Sequence, residues 1–278
     1  LGLFIPTNII NIGNICPNFV NYIKQFICTN SNIVKPAAEK ILIAKQLQAK
    51  INAMQGLGKL SSEPARTGLA PFTAAFPGNV FPTGAIHEFI SYEPAAAAST
   101  SGFITAITSK LIKSGGLCLW VANGKKVFPA GLKSFGLEPD RIVFITASHP
   151  KEALWIIEEA LKCEALTAVI GEVKELSFTD SRRLQLAVEN SGVTGFIHRY
   201  CPRFENAVAC TTRWKITPLP SLNLDNLPGV GHSTWDVQLL KVRNGRPNAW
   251  QVNWLGKNFM PITHKHIFIP MLNERHTG

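Results

Sequence analysis

The chain of 278 residues is 46% hydrophobic and carries a formal net charge of +10, enough apolar material for one sizeable core. No uninterrupted apolar run reaches the roughly 18 residues that a membrane span needs. The stretch from Leu1 to Ile33 lacks the charged start, continuous apolar centre and small-residue cleavage site of a secretory signal, so a cytoplasmic location is expected. The cysteines, at 16, 28, 118, 163, 201 and 210, form no Cys-x-x-Cys pair and no cysteine–histidine cluster with zinc spacing. Reduced structural thiols are the expectation, with no metal site. Residues 1–80 hold 7 Lys/Arg against 2 Asp/Glu, residues 81–200 hold 12 against 12, and residues 201–278 hold 9 against 4. Basic flanks around a neutral middle fit surfaces that meet phosphates or an acidic partner, and equally fit lysines that keep a chain soluble.

In chain order, residues 1–35 show neither a helix nor a strand period and read as a disordered extension or a mis-assigned start. From 36 to 58 apolar residues recur at helical steps: Ile41, Ala44, Leu47, Ile51 and Met54, with Lys40, Lys45 and Lys50 off that stripe. This predicts an amphipathic helix whose narrow stripe, Ile41, Leu47, Ile51 and Met54, serves partner binding or self-association. Residues 59–83, rich in Ser, Pro, Gly and Ala, read as a surface linker.

From 84 to about 200 strands and helices alternate. Strands are expected at 86–90, 117–122, 141–146, 166–170 and 194–199, and helices at 103–113, 129–134, 150–163 and 179–190. The alternation predicts an α/β domain over 84–256 with a mainly parallel sheet covered on both faces. Between the first strand and the first helix, a nucleotide-binding protein of this layout would place Gly-x-x-x-x-Gly-Lys-Ser/Thr. Here stands Ser91-Tyr-Glu-Pro-Ala-Ala-Ala-Ala-Ser-Thr-Ser-Gly102, with one glycine and no lysine. A degenerate phosphate loop is expected, and with it no ATPase activity and no cofactor.

After Tyr200 the pattern is all strand. Strands are expected at 207–217 and 235–240, and Arg243-Asn-Gly-Arg246 reads as a type I′ hairpin turn. On the return strand Trp250, Val252 and Trp254 share one face, and period-two aromatics favour sheet packing over base stacking. His264 and His266 lie in a tail, 257–278, that suggests a partner-binding or disordered end. His87 and Glu88 sit on an apolar strand, where a satisfied histidine is commoner than a ligand. No catalytic motif emerges: there is no Gly-x-Ser-x-Gly, and no cysteine has a histidine placed to activate it.

The order of elements and several local stretches resemble the ImuA family: Phe81-Pro-Thr-Gly-Ala-Ile-His-Glu88, Phe135-Gly-Leu-Glu-Pro-Asp-Arg-Ile142, Ala153-Leu-Trp-Ile-Ile-Glu-Glu-Ala160, Arg182-Arg-Leu-Gln-Leu-Ala187, Ser191-Gly-Val-Thr-Gly195 and Asn244-Gly-Arg-Pro247. The resemblance covers about Lys40 to Trp254 and implies a RecA-like P-loop NTPase-type core, followed by the C-terminal antiparallel hairpin. Against that frame the phosphate-loop lysine and hydroxyl have no counterpart in 91–102, and no acid stands near Ala122-Asn-Gly124. Glu172 is left where a metal-side aspartate would be. The two loops that contact DNA in RecA would fall at 173–179 and 199–207. Both are short, though the second keeps Arg199, Tyr200, Arg203 and Phe204. Basic and aromatic residues together suit a nucleic-acid strand, and an exposed turn with inward aromatics fits the same letters.

The resemblance implies a non-catalytic accessory protein of SOS mutagenesis, that is, of translesion synthesis and error-prone DNA repair. Its implied partners are a Y-family polymerase homologue of the ImuB type and, through it, an error-prone replicative-type polymerase. Charge adds single-stranded DNA as a candidate partner, with Arg199, Arg203, Lys241, Arg243 and Arg246 as the candidate DNA-binding residues: Arg203 in the short second loop, and the other four read as sharing one edge of the sheet. Two alternatives remain: a cell-division inhibitor similar to SulA, and a divergent RecA-like DNA-dependent ATPase.

Overall fold

Strand β1 (Ile86–Ser91) is buried along its whole length, and the rest of the sheet is built outward from it. The computed structural model describes residues 46–47, 68–112, 116–122, 127–222 and 231–262. To one side lie β5 (Thr194–Tyr200), β4 (Leu166–Val173), β2 (Leu117–Ala122) and the edge strand β3 (Ile142–Thr146). To the other lie β6 (Thr212–Leu222), β7 (His232–Val242), β8 (Asn248–Leu255) and β9 (Asn258–Pro261). The order is β3-β2-β4-β5-β1-β6-β7-β8-β9, parallel from β3 through β6 and antiparallel from β6 onward. The fold is therefore α/β with a large, mostly parallel sheet and an antiparallel extension.

Near-continuous apolar runs form the parallel strands because both of their faces are covered. One face is aliphatic. Ile86, Val121, Val169 and Ile197 pack beneath α4 (Pro150–Leu161) and α5 (Phe178–Ser191). The other is aromatic, with Phe89, Trp120, Phe196, Trp214 and Trp235 beneath α2 (Pro94–Leu111). Helix α5 starts and stops where its caps dictate. Ser177 Oγ accepts from Asp180 N at 3.0 Å, and Gly192 takes the left-handed conformation, φ 75°, past its end.

The structure corrects four expectations. First, 91–102 is not a loop. Only Tyr92 and Glu93 separate β1 from α2, which begins nine residues ahead of the expected start. Pro94 occupies the first helical turn and the alanines after it are the strongest helix formers, so the helix propagates back to the strand. Second, the described part of the supposed linker is core. Leu69, Phe72, Phe76 and Phe81 are buried around the short helix α1 (Ala70–Thr73). Phe72 makes edge contacts with Phe103, Trp214, Trp250 and Phe259 at 5.0–6.1 Å between ring centroids. Its composition looked polar, but its few aromatics are what the sheet needed to cover its antiparallel half.

Third, β6 starts at Thr212 and not at 207, because 207–211 crosses under α5: Ala209 N donates to Ser181 Oγ at 2.9 Å. It then runs on through Pro218 and Pro220. Beyond Lys215 it has a partner on one side only, an edge on which proline is tolerated. Fourth, the 243–246 turn is not type I′. Asn244 has φ 58°, but Gly245 is not among the residues with positive φ. Gly245 is required there by close approach, since a Cβ would strike the Ala75 carbonyl, which also accepts from Arg246 N at 3.0 Å.

Trp254 is buried and Trp250 packs on Phe72 and Trp214, so these tryptophans are core and not a stacking platform. The chain divides into two units, Leu1–Ile51 and Asn52–Gly278. In the first, Gln46 and Leu47 are helical and exposed. The expectations for Ile41, Ile51 and Met54, and for the segments 1–35 and 263–278, lie outside the described residues. Among the described residues no helix is long and apolar enough to cross a membrane.

Candidate functional site

Open parallel sheets place ligands beyond the carboxyl ends of their strands. At that end, on the aromatic face, a cavity of about 620 Å³ opens between α2, the short helix α3 (Pro129–Leu132) and the ends of β4 and β5. Its walls are mainly apolar, among them Ala97, Ala98, Phe128 and Phe135, with Ser101, Glu172, Lys174, His198 and Tyr200 as polar groups. Helix α2 comes within contact of Phe135 because Gly102 has no side chain; a Cβ would lie 2.8 Å from the ring. Glu172 Oε1 accepts from Trp120 Nε1 at 2.9 Å. Among the described residues no three His, Cys, Asp or Glu side chains converge on a metal position. No phosphate-wrapping loop exists here either, since the connection from β1 to α2 is two residues long.

Two histidines are locked on this face of the sheet, His198 in the cavity wall and His87 near the start of β1. His87 donates from Nε2 to the Pro82 carbonyl at 2.9 Å, so Nδ1 accepts from Thr212 Oγ1 at 2.7 Å. His198 Nε2 lies 2.7 Å from Ser91 Oγ. Burial pulls both rings down from 6.5 to about 4, for His87 against the opposing pull of its Pro82 bond. Both are neutral at pH 7. Cys118 and Cys210 are likewise pushed up by burial, Cys210 to about 12, which suits structural thiols.

On the opposite face, Glu88 is fully buried and its carboxylate is shared. Arg199 Nη1 donates to Oε1 at 2.7 Å and Arg213 Nε to Oε2 at 2.6 Å, which joins β1, β5 and β6. Both arginines then hold the loop 201–211. Arg199 Nη2 donates to Phe204 O and Asn206 Oδ1, each at 3.0 Å, and Arg213 Nη2 donates to Asn206 O at 2.6 Å. Asn206 Nδ2 reaches Leu176 O, and Arg203 N donates to Glu175. Tyr92 Oη donates to Glu205 at 2.5 Å, a bond that raises its pKa to about 12.

The five basic residues singled out from the sequence do not form one patch. Arg199 is 0% exposed and committed to Glu88, so it is a structural residue. Arg203 is exposed at the carboxyl end of the sheet. Lys241, Arg243 and Arg246 lie at the other end: Arg243 N donates to Thr211 O, and Thr211 N in turn donates to Ile86 O at the start of β1. The expectation of one shared edge is thus corrected by the length of β1 itself. Sequence reasoning missed Glu88, Asn206 and Glu175. The available signal was a carboxylate in the middle of a strand expected to be buried on both faces, which demands a cationic partner.

Two measurements follow from this geometry. The folded state excludes protons from both histidines, so their stabilising contribution is complete above about pH 6.5 and is lost as pH falls from 6.5 toward 4. Each ring is worth up to roughly 3 kcal/mol at the acid limit. A thermal-melting series against pH should fall across that window and fall less steeply in His198→Gln; an unchanged slope would place the acid sensitivity elsewhere. In urea denaturation, Glu88→Ala should cost roughly 3–5 kcal/mol, because it strands a buried guanidinium. The pair Glu88→Leu with Arg199→Met should recover much of that loss, and trypsin should cut Glu88→Ala faster than wild type at Arg203. A loss below about 1 kcal/mol for Glu88→Ala would contradict the network.

No profile of a known protein family matches the chain. Individual proteins do. Cell division inhibitor SulA of Yersinia pestis (strain Pestoides F) is 26% identical over 117 residues, 42% of this chain and 68% of that protein. Protein ImuA of Caulobacter vibrioides, from strain NA1000 / CB15N and equally from strain ATCC 19089 / CIP 103742 / CB 15, is 33% identical over 187 residues, 63% of this chain and 77% of the relative. With a third of its aligned residues shared across more than three quarters of that relative, the chain belongs to the ImuA family.

Proposed function

We propose that this chain is a cytoplasmic, non-catalytic accessory protein of damage-induced mutagenesis, acting in the SOS response and translesion synthesis. It binds a Y-family polymerase homologue of the ImuB type and, through it, an error-prone replicative-type polymerase at single-stranded DNA. The observation that carries the reading is the 33% identity to Protein ImuA over 77% of its length. The sheet order, six parallel strands and then an antiparallel extension beyond β6, supports a RecA-like core as its ancestry. The two-residue step from β1 into α2, with no lysine between Ser91 and Gly102, supports loss of nucleotide chemistry.

A second reading, a cell-division inhibitor, draws on the similarity to SulA over 42% of this chain. Tagged protein purified from DNA-damaged cells separates the two. Recovery of a Y-family polymerase homologue supports the mutagenesis role, whereas recovery of the division machinery with filamentous cells on overexpression would replace it.

Within the first reading, the apolar stripe Ile41, Leu47, Ile51 and Met54 is the proposed partner-binding surface. Leu47→Asp with Ile51→Asp should abolish recovery of the polymerase homologue while the melting temperature stays within a few degrees. A collapsed melting temperature would show that the helix covers its own domain instead. The protein should also show no magnesium-dependent ATP hydrolysis above background. Turnover that disappears in Glu172→Ala would make it an ATPase after all.

A further inference from the structure

Two surfaces compete as the place where this protein would meet nucleic acid, and their charges separate them. The carboxyl end of the parallel strands has exposed aromatics, Tyr92, Phe178 and Phe204, and the exposed Lys174 and Arg203. By letters alone that is a stacking platform. In space acids stand among them: Arg203 N is bonded to Glu175, Tyr92 to Glu205, and Glu93 occupies the N-cap position of α2. A phosphate approaching there meets carboxylates.

The other surface is the open face of the antiparallel half. Helices α4 and α5 pack on β1, β2, β4 and β5. Trp214, Ile216, Trp235, Val237 and Val252 point to the aromatic core, so the residues that alternate with them point away from it. Those are Lys215 and Thr217 on β6, Asp236 and Gln238 on β7, and Gln251 on β8. Lys215 is exposed and the other four are half-exposed.

Beside this face Lys241 Nζ donates to Val208 O and Arg243 Nη2 to Ala209 O, and Arg246 follows in the turn after β7, its N bonded to Ala75 O. Lys241 lies opposite Arg213 and Lys215 opposite Gln238 in the β6–β7 ladder. Among the described outward residues of β6, β7 and β8 the one carboxylate is Asp236, itself bonded to Gln238. No hydrogen bond or ion pair holds the Lys215 or Arg246 side chain among the described residues.

We infer that the uncovered face of β6 and β7, with Lys215, Lys241, Arg243 and Arg246, tracks the phosphate backbone of single-stranded DNA. The inference rests on the proposed role at single-stranded DNA and locates the contact. From the level of Lys215 to that of Thr211 the ladder runs roughly 13 Å, about four phosphates at the spacing of one stacked strand. Lys215 on β6, Lys241 on β7 and Arg243 and Arg246 in the turn after β7 lead from the sheet face to its end, a course that suits a single backbone and not the two that flank a duplex groove. With no aromatic side chain on this face of β6 and β7, contact is to phosphates, so binding is indifferent to sequence and steep in salt.

Fluorescence anisotropy of a labelled oligothymidylate, titrated with the full chain at several salt concentrations, tests this. The pair Lys215→Ala with Arg246→Ala should weaken binding at low salt about tenfold and flatten the log–log salt slope by roughly 1.4, two phosphate contacts on a single strand. Arg203→Ala should stay within about twofold of wild type. Both variants change exposed side chains, and their melting curves should match wild type. Loss of binding in Arg203→Ala with the pair unaffected overturns the inference, as does tighter binding to a duplex of the same length. No wild-type binding even at low salt, where screening is weakest, overturns it too and assigns these cations to an acidic protein. In that case recovery of the polymerase homologue from damaged cells would leave the proposed function standing, whereas failure of that recovery removes the function whatever the oligonucleotide does.

Discussion

A carboxylate with no access to water sits in the central strand, and much of the molecule is arranged to accommodate it. Glu88 cannot stay ionised in the core without partners, since an isolated buried charge costs several kcal/mol. The chain supplies two guanidiniums from the strands on either side, and the Nη2 of each donates to the loop 201–211. One buried acid thereby fixes the relation of β1 to β5 and β6 and the return path of the chain across the sheet. It also fixes where β6 begins, and with it the register of everything antiparallel. The loop that resembles a DNA-contacting segment is for this reason a fastened strap, with Arg203, Phe204, Glu205 and Ala207 exposed to solvent.

The junction between β1 and α2 sets the chemistry. A phosphate loop works because several unpaired backbone N–H groups curl around an anion. Here two residues join strand to helix, and Ala97 N is already bonded to Glu93 O in the first helical turn. Between Ser91 and Gly102 the chain offers one glycine and no lysine. The space left at the strand ends is walled mainly by alanine, phenylalanine and leucine, with Ser101, Glu172, Lys174, His198 and Tyr200 as its polar groups.

What was legible in the sequence follows the same physics. The strands of the parallel half were readable because burial on both faces writes an uninterrupted apolar run, and α5 because Ser177 and Gly192 mark its ends. The start of α2 was not, since the expectation of a loop was set by the layout of nucleotide-binding proteins while Pro94 and the alanines after it argued for helix. Phe72 and Phe81 were hidden by the polar composition around them. Their value lies in which tryptophans they touch, and no local pattern carries that. The basic residues were visible as a charge excess, but their distribution over two ends of the sheet depends on the direction of β5 and β7, a tertiary fact. Lys215 drew no notice at all, because a lysine in a strand declares nothing until the opposite face is seen to be buried.

The two halves of the sheet thus differ in what they leave free. In the parallel half helices cover both faces, and polar groups such as His87 and Glu88 are paired inward. Among the described residues the antiparallel half is covered on one face only, by α1, α2 and the aromatic segment before β1, and its strands alternate accordingly: Trp, Val and Leu inward, Lys, Thr, Gln and Asp outward. Sheet surface, and not a cleft, is what the antiparallel half offers. Its solvent-reached outward side chains, Lys215, Thr217, Asp236, Gln238 and Gln251, are polar, the composition of a surface made to be wetted and touched.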